Sequence, residues 1–306
     1  MDRFSELETF VAVAEAGGFN AAARALGRSP PSVTRLVAGL EDRIGTRLFN
    51  RTTRQIALTE AGQRLLADAR RILEDLASAE ASAAGAHEEP QGELTVTAPV
   101  IFGRRYIAPV LRAFLDRHSR VTGRAILLDR VVDLIEEGID VAVRIGDLPD
   151  SSLTAVRVGD LRRVVVASPE YLRQHGAPQH PSDLAAHRIV LSASLQSDQA
   201  WEFHAGASVV SVPVSPLLRG NNIDMTLDAA REGWAVTRAM SYQVADALAA
   251  GDLVEVLADF EDRLAPIHLI HAEGSLRAAK IRAFLDFAAK DLRQKAKAWI
   301  ARGGAG

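Results

Sequence analysis

Seven arginines lie between positions 24 and 58 (24, 28, 35, 43, 47, 51 and 54), with only Glu41 and Asp42 beside them. That block carries +5 on a chain whose net charge is −3, which leaves −8 for the remaining segments. An anionic partner therefore fits this block alone, although a solvated arginine-rich surface would give the same count. Within the block runs Ser29-Pro30-Pro31-Ser32-Val33-Thr34-Arg35. Arginine pairs with guanine, threonine can touch a thymine methyl, and guanidinium groups meet phosphates, so these residue types suit DNA reading. Other chemistries are poorly served. There is no cysteine, hence no disulfide or thiolate metal site, and the eight histidines are scattered. His268 and His271 lie three apart in an expected strand, so they face opposite sides and cannot share a metal. "ASPEYL" has no Gly-x-Ser-x-Gly elbow, and isolated glycines such as Gly103 and Gly146 make no phosphate loop. No catalytic residue, metal or cofactor is expected.

The elements around the arginines explain the two prolines. The first N–H groups of a helix have no intrahelical acceptor, so proline there forfeits nothing and its φ is already helical. Ser29 is the expected N-cap. Val33, Leu36, Val37, Leu40 and Ile44 mark the buried face of the helix that follows, and Gly45 ends it. Ser32, Thr34 and Arg35 project from its first turns, where exposed donors and a positive dipole would suit phosphate. Upstream, Phe4, Leu7, Phe10, Val11 and Ala14 predict a helix over 3–16, stopped by Gly17-Gly18. Asn20 is expected to cap a short second helix ending at Gly27. Three such helices make a helix-turn-helix. Leu48, Phe49, Ile56 and Leu58 then flank the polar tip 50–55 as a two-stranded wing. Its Arg51, Thr52, Thr53 and Arg54 are placed to reach backbone or minor groove. Thr59 begins a long helix in which Leu65, Ala69, Ile72, Leu76, Ala79 and Ala83 form a heptad seam, expected to pair with a second copy, with packing of the helix on its own domain as the alternative.

"AHEEPQG" (86–92) is a charged Pro/Gly break and the expected domain boundary. Beyond it "ELTVTA", "RRYIAPVLRAFLDRH", "AILL", "VVDLIEEG" and "DVAVRI" alternate strand and helix, and "RVVVAS" (163–168) starts a second series. This rhythm predicts parallel sheets covered by helices, with a ligand cleft between two lobes. The expected fold is an N-terminal all-α winged helix-turn-helix (1–58), a linker/dimerisation helix (59–87) and a C-terminal α/β two-lobed domain (88–306). Lobe I is expected over 92–162 and 267–306, and lobe II over 163–266. The charged start "MDRFSELETF" is not a signal peptide, and no apolar run is long enough to span a membrane. The chain reads as cytoplasmic.

Residues 4–62, "FVAVAEAGGFNAAARALGRSPPSVTRLVAGLEDRIGTRLFNRTTRQIALTEAG" within them, closely resemble the N-terminal domain of LysR-type transcriptional regulators. "APVIFGRRYIAP", "DLIEEGIDVAVRIGDLPDSSL", "VASPEYL" and "HLIHAEG" extend the resemblance to the effector domain, nearest the CrgA-like branch. It implies a periplasmic-binding-protein-like effector domain, assembly as a homodimer or homotetramer, a partly palindromic promoter operator in double-stranded DNA, a small-molecule effector and contact with RNA polymerase. The DNA-contacting positions it implies fall on Pro30, Pro31, Thr34, Arg35, Arg51, Thr52 and Arg54, which Ser32 joins from its place in the first turns of the same helix. The family often has glutamine where Pro30 stands; proline offers no bidentate pairing with adenine, so the base opposite it is open.

Between the lobes, the resemblance puts the effector near Pro99, Val100, Ile101 and Phe102, with Leu128, Arg144, Asn221, Thr237 and Arg238 as further contacts. Ile101 and Phe102 suit core packing equally, Arg144 a salt bridge, Asn221 and Asn222 a helix cap, and Arg238 solvent. Leu128 stands where the family often has a polar residue. A less polar wall beside an arginine and helix N-termini favours a small carboxylate with an apolar or aromatic body. Two other readings stay open: a DNA binder whose C-terminal domain only oligomerises, and a small-molecule binding protein or enzyme on the α/β lobes.

Overall fold

The structure is a computed structural model that describes residues 2–51, 56–83, 89–148, 153–192, 200–205, 208–260, 263–273, 275 and 278–300. The chain divides into two compact units, one built on residues 1–92 and one on most of the remainder.

In the first unit, α1 (Arg3–Ala16) is capped by Asp2, whose side chain accepts from the Phe4 N–H, and ends at Gly17 with φ 65°. The second helix, α2 (Phe19–Ala25), has Gly18 at its N-cap, so Asn20 lies inside the helix and does not cap it. The third, α3 (Pro30–Ile44), carries its prolines at the first two positions. Strands β1 (Phe49–Arg51) and β2 (Ile56–Leu58) pair antiparallel as the wing, and α4 (Glu60–Ala83) follows. Thr59 caps α4: its Oγ1 accepts from the Gly62 N–H at 3.0 Å. Phe10, Val13, Val33, Val37, Leu40, Leu48 and Phe49 form the core, with the Phe10 and Phe49 rings 5.4 Å apart. Ile44, expected inside, is 42% exposed, because the buried face of α3 runs through Val33, Val37, Leu40 and Glu41.

The second unit has two lobes. Lobe I holds a five-stranded sheet in the order β4 (Val121–Leu127), β3 (Gly92–Ala98), β5 (Val141–Ile145), β14 (Ala265–Ala272), β6 (Leu153–Leu161). β3 and β5 are parallel, whereas β14 runs antiparallel to both its neighbours. Lobe II holds β12 (Thr237–Met240), β7 (Arg163–Ala167) and β13 (Val254–Val256), all antiparallel, and the parallel pair β11 (Leu218–Gly220) and β8 (Val190–Ser192). A bridge from Ile189 to Val236 connects the two sets. The sheets are thus mixed, contrary to the parallel sheets read from the α/β rhythm. A hairpin, β9 (Ala200–Ala205) with β10 (Ser208–Pro213), buries Trp201 and Phe203 in lobe II. The helices α7 (Pro169–His175), α8 (Ile223–Arg231), α9 (Ser241–Ala250) and α10 (Ala279–Ile300) complete the α/β architecture.

Two local features depart from the expected pattern. Residues 131–133 are extended and 134–138 form a single turn, where a helix over 131–138 was expected. The Asp133 carboxylate accepts from the Ile135 and Glu136 N–H groups at 2.8 and 2.9 Å, the bonds of an N-cap, so the helical turn starts only after Asp133 and closes within one turn at Gly138. Next, α5 (Val100–Phe102) passes through a π-helical turn (Gly103–Ile107) into α6 (Ala108–Leu115). Pro109 lacks the N–H that an α-ladder would use, and the wider turn accommodates its ring. Gly103, at the start of this turn, lets it lie close to β4: a Cβ there would lie 2.3 Å from Leu127 Cδ2.

Candidate nucleic-acid interface and effector cleft

Ser29, Pro30, Pro31, Thr34 and Arg35 are exposed at the tip of α3, and Ser32 is half-buried. The tip differs from its expected chemistry in two ways. Ser29 makes no side-chain cap. Its carbonyl instead accepts from the Ser32 and Val33 N–H groups at 3.0 and 3.1 Å, and the two prolines have no N–H to offer. The helix end therefore presents no backbone donor to a phosphate, so any contact must come from side chains. Thr34 Oγ1 donates to the Pro30 carbonyl at 3.0 Å, which turns the hydroxyl inward and leaves its methyl available. Thr52 and Arg54 lie outside the described residues, as does the Arg51 side chain.

Charge counting treated the arginines alike, but the fold sorts them. Arg43 donates from Nε and Nη2 to Glu6 Oε2 at 3.2 and 2.9 Å, and the Glu6 side chain is only 6% exposed. Arg47 meets Glu41 at 2.9 Å. Arg28 donates to Ser5 Oγ and Thr9 Oγ1 and lies 3.6 Å from Glu8. These three hold the helices together. Arg24 and Arg35 are exposed and have no ion pair among the described residues. Glu41 is a functional residue that sequence reasoning missed. Buried to 2%, its Oε1 accepts from the Leu48 and Phe49 N–H groups at 2.9 and 3.2 Å, tying the base of the wing to α3. Its position on the buried helical face, in register with Val37, was the available signal.

The seam of α4 is divided too. Ala69 is fully buried in the helix-turn-helix core and Leu65 packs against it, so neither is free to meet a second copy. Ile72 is 40% exposed and Leu76 half-buried. The Ala79 side chain and residues 84–87 lie outside what is described.

The effector residues of lobe I gather at the ends of β3, β4 and β5. Asp129 Oδ1 accepts from the Val100 N–H at 3.0 Å, so the expected helix N-terminus after Pro99 is already occupied by the protein's own carboxylate. Ile101 and Phe102 are 5% and 0% exposed and belong to the core. Phe102 packs with Tyr106, Tyr242 and Trp299 at 4.9, 5.4 and 5.5 Å, a cluster that joins the two lobes. Burial raises the Tyr242 phenol well above its usual range. Leu128 is half-buried against Val132, Leu134 and Ile139. Arg144 Nη1 donates to the Arg130 carbonyl at 3.1 Å, while its Nη2 is buried without a hydrogen-bond partner among the described residues. Burial lowers its pKa, Glu137 opposes that shift, and Arg130 adds to it. Arg130 is itself held by Glu137 at 2.9 Å.

In lobe II, Asn222 caps α8 by accepting from the Asp224 and Met225 N–H groups, and Asn221 is exposed before it. Thr237 is fully buried, with Oγ1 donating to the Val190 carbonyl at 3.0 Å. Arg238 does not join it. Successive strand residues face opposite sides, and Arg238 points to the side occupied by Trp201, whose ring centroid is 5.3 Å away. The cleft assignment of Arg238 is therefore corrected.

Residues 4–63 match the family described as bacterial regulatory helix-turn-helix protein, lysR family, and residues 87–293 match the LysR substrate binding domain. The chain is 33% identical to the regulator CrgA of Neisseria meningitidis serogroup B, over 94% of this chain and 96% of that one. It is likewise 33% identical to the probable regulator LtrA of Klebsiella pneumoniae, over 92% of each. The structure of CrgA from Neisseria meningitidis superposes with a TM-score of 0.59 at 32% identity, covering 94% of this chain and 98% of that one. No described helix is long and apolar enough to cross a membrane. The winged helix-turn-helix, the two-lobed domain and these likenesses agree: the chain belongs to the LysR family of DNA-binding transcriptional regulators, proteins that are not enzymes.

Proposed function

We propose that the tip of α3 reads the major groove of a promoter operator through Arg35 and Thr34, with Pro30, Pro31 and Ser32 shaping the approach. The observation that carries this reading is the sorting of the arginines: three are engaged with acids or hydroxyls of their own unit, whereas Arg35 is exposed beside Thr34 without an ion pair among the described residues. Arg24 is suited to a phosphate, and Arg51, Thr52 and Arg54 of the wing to the neighbouring backbone. Residues 1–58, 59–87 and 88–306 would act as reader, linker and sensor. A seam through Ile72, Leu76 and Ala79 would pair two copies, and two such pairs would make the homotetramer that contacts RNA polymerase.

The cleft is proposed to hold a small carboxylate against Arg144, whose buried Nη2 lacks a partner among the described residues, with Leu128 as an apolar wall and Pro99, Val100, Asn221 and Thr237 around it. Lobe closure on that ligand would re-angle the paired readers. A thermal-shift screen of small carboxylates against neutral sugars and bases, followed by footprinting with the best ligand, tests this. Stabilisation by carboxylates together with a changed footprint is expected; stabilisation by neutral compounds alone, or an unchanged footprint, refutes it.

A further inference from the structure

Two buried nitrogens without a hydrogen-bond partner among the described residues belong to neighbouring side chains: Nη2 of Arg144 and Nδ1 of His268. Arg144 on β5 and His268 on β14 are paired in register across the lobe I sheet. Paired residues leave the same face with Cβ atoms about 4.5–5.5 Å apart, so the two nitrogens share one site. On its other side His268 pairs with Arg157 of β6, which sets an imidazole between two guanidinium groups. Like charges abreast are unfavourable unless an anion answers them. The fold answers one of the two. Arg157 Nη2 donates to Asp160 Oδ1 at 2.5 Å. Arg144 has no ion pair among the described residues, and its Nη1 is taken by the Arg130 carbonyl.

The strands are adapted at this point. β14 pairs with β6 residue for residue as far as Ile267 and Gly159, then resumes at His268 and Arg157, which leaves Val158 as a β-bulge. Without that extra residue His268 would lie opposite Val158, and Arg157 would leave the row. Bulges of this kind re-aim side chains and are over-represented beside functional sites. The acids that face the row are engaged: Asp160 by Arg157, Asp147 by Arg263 at 3.9 Å, and Glu137, which faces Arg144, by Arg130. Burial, and then the charge of Arg157, hold the His268 pKa down, against the opposing pull of Asp160 and Asp147. An imidazole protonated at Nδ1 donates there, so a carboxylate would give one oxygen to that hydrogen and one to Arg144 Nη2. Two orphaned groups would then be satisfied together, which a neutral amide with a single oxygen cannot do. Two residues along the same face lie Ala142 and Ile270, in an apolar cluster that Leu128 packs against, a wall suited to an apolar body.

We propose that His268 is a ligand contact of the inter-lobe cleft, its Nδ1–H and Arg144 Nη2 each donating to one oxygen of the same carboxylate. The assignment rests on the carboxylate reading of the cleft and adds to it the residue that selects a carboxylate over an amide of the same shape. The test is calorimetric titration of the full chain with benzoate, and with benzamide as its neutral counterpart, at pH 5.5 and 8. Benzoate is ionised at both, whereas the imidazole beside a bound carboxylate gains a proton between them. Wild type is expected to bind benzoate about fivefold more tightly at pH 5.5 than at pH 8. Benzamide should bind about tenfold more weakly than benzoate, or less. His268→Gln keeps an uncharged N–H donor, so it should stay within about twofold of wild type at pH 8 and show no gain in acid. His268→Phe should bind about tenfold more weakly at pH 8. Arg144→Met separates the two claims. Wild-type affinity in Arg144→Met, equal binding of benzamide, or no saturable benzoate binding by the wild type refutes the carboxylate reading and this inference with it. Loss of binding in Arg144→Met, with affinity and acid gain unaltered in both His268 variants, overturns the role of His268 alone.

Discussion

Replacing Arg43 and Arg35, each by methionine, separates arginines that hold the fold from arginines that meet DNA. Arg43→Met leaves Glu6, 6% exposed, without the only partner it has among the described residues. Removing one member of a buried pair costs roughly 3–5 kcal/mol. Arg43 is 39% exposed, so water can reach the vacated site, and about 2–3 kcal/mol is the appropriate expectation. Arg35 is exposed and holds no carboxylate among the described residues, so Arg35→Met should leave stability unchanged. If it reads a base it should cost roughly 1–3 kcal/mol of specific binding, about five- to 150-fold. All three tryptophans (201, 234 and 299) lie outside the first unit, so their fluorescence does not report its unfolding. Hydrogen exchange of peptides from α1 and α3 in the full chain does. Arg43→Met should speed their slowest exchange about 30- to 150-fold, the equivalent of 2–3 kcal/mol. Arg35→Met should leave that exchange unaltered while weakening cognate DNA more than random DNA at matched salt. Accelerated exchange in Arg35→Met, or none in Arg43→Met, would refute the sorting.

Three further outcomes follow from buried groups and close contacts. Glu41→Ala should loosen the base of the wing, since two buried N–H groups lose their acceptor at about 1–3 kcal/mol each. Glu41→Gln keeps an acceptor oxygen and should exchange more slowly at Leu48 and Phe49 than the alanine variant does. Gly62→Ala ought to gain about 1 kcal/mol of helix propensity. Its Cβ would lie 2.2 Å from the Leu48 carbonyl oxygen, a backbone atom that cannot swing aside, so circular dichroism should show net destabilisation of about 1–3 kcal/mol. Burial, and then the charge of Arg157, hold the His268 pKa below its usual value. The unfolded chain thus binds that proton first, and the stability contributed by neutral His268 is lost as pH falls below about 6.5. Melting temperatures at pH 8 and 5.5 should therefore converge in His268→Gln.

Much of the architecture was legible because helical spacing records one buried face. Residues 3–16 and the helix opened by Pro30-Pro31 fold as their periodicity requires. Pattern alone failed where local or distant groups compete with it. Val132 and Leu134 are buried while Val131 and Ile135 are exposed, an alternation that the helix reading of 131–138 overlooked and that Asp133 stabilises as a turn. Strand direction is not written in a hydrophobic run, so antiparallel β7 and β14 were taken as parallel. Charge counts could not reveal that Glu6 and Glu41 reach the arginine block from buried positions. In the cleft, family likeness located the ends of β3, β4 and β5 near Leu128 and Arg144. It could not show that Asp129 already occupies the Val100 N–H. Nor did it show that adjacent Thr237 and Arg238 face different sides.

The central claim is that this chain reads DNA sequence with the proline-headed tip of α3. The direct measurement is selection of bound sites from random double-stranded DNA, with the full-length wild type and Arg35→Met run in parallel. The account predicts that the wild type enriches a partly palindromic motif and that Arg35→Met loses preference at the bases Arg35 faces. No enriched motif for the wild type, or the same motif with the same base preferences in the variant, would contradict it.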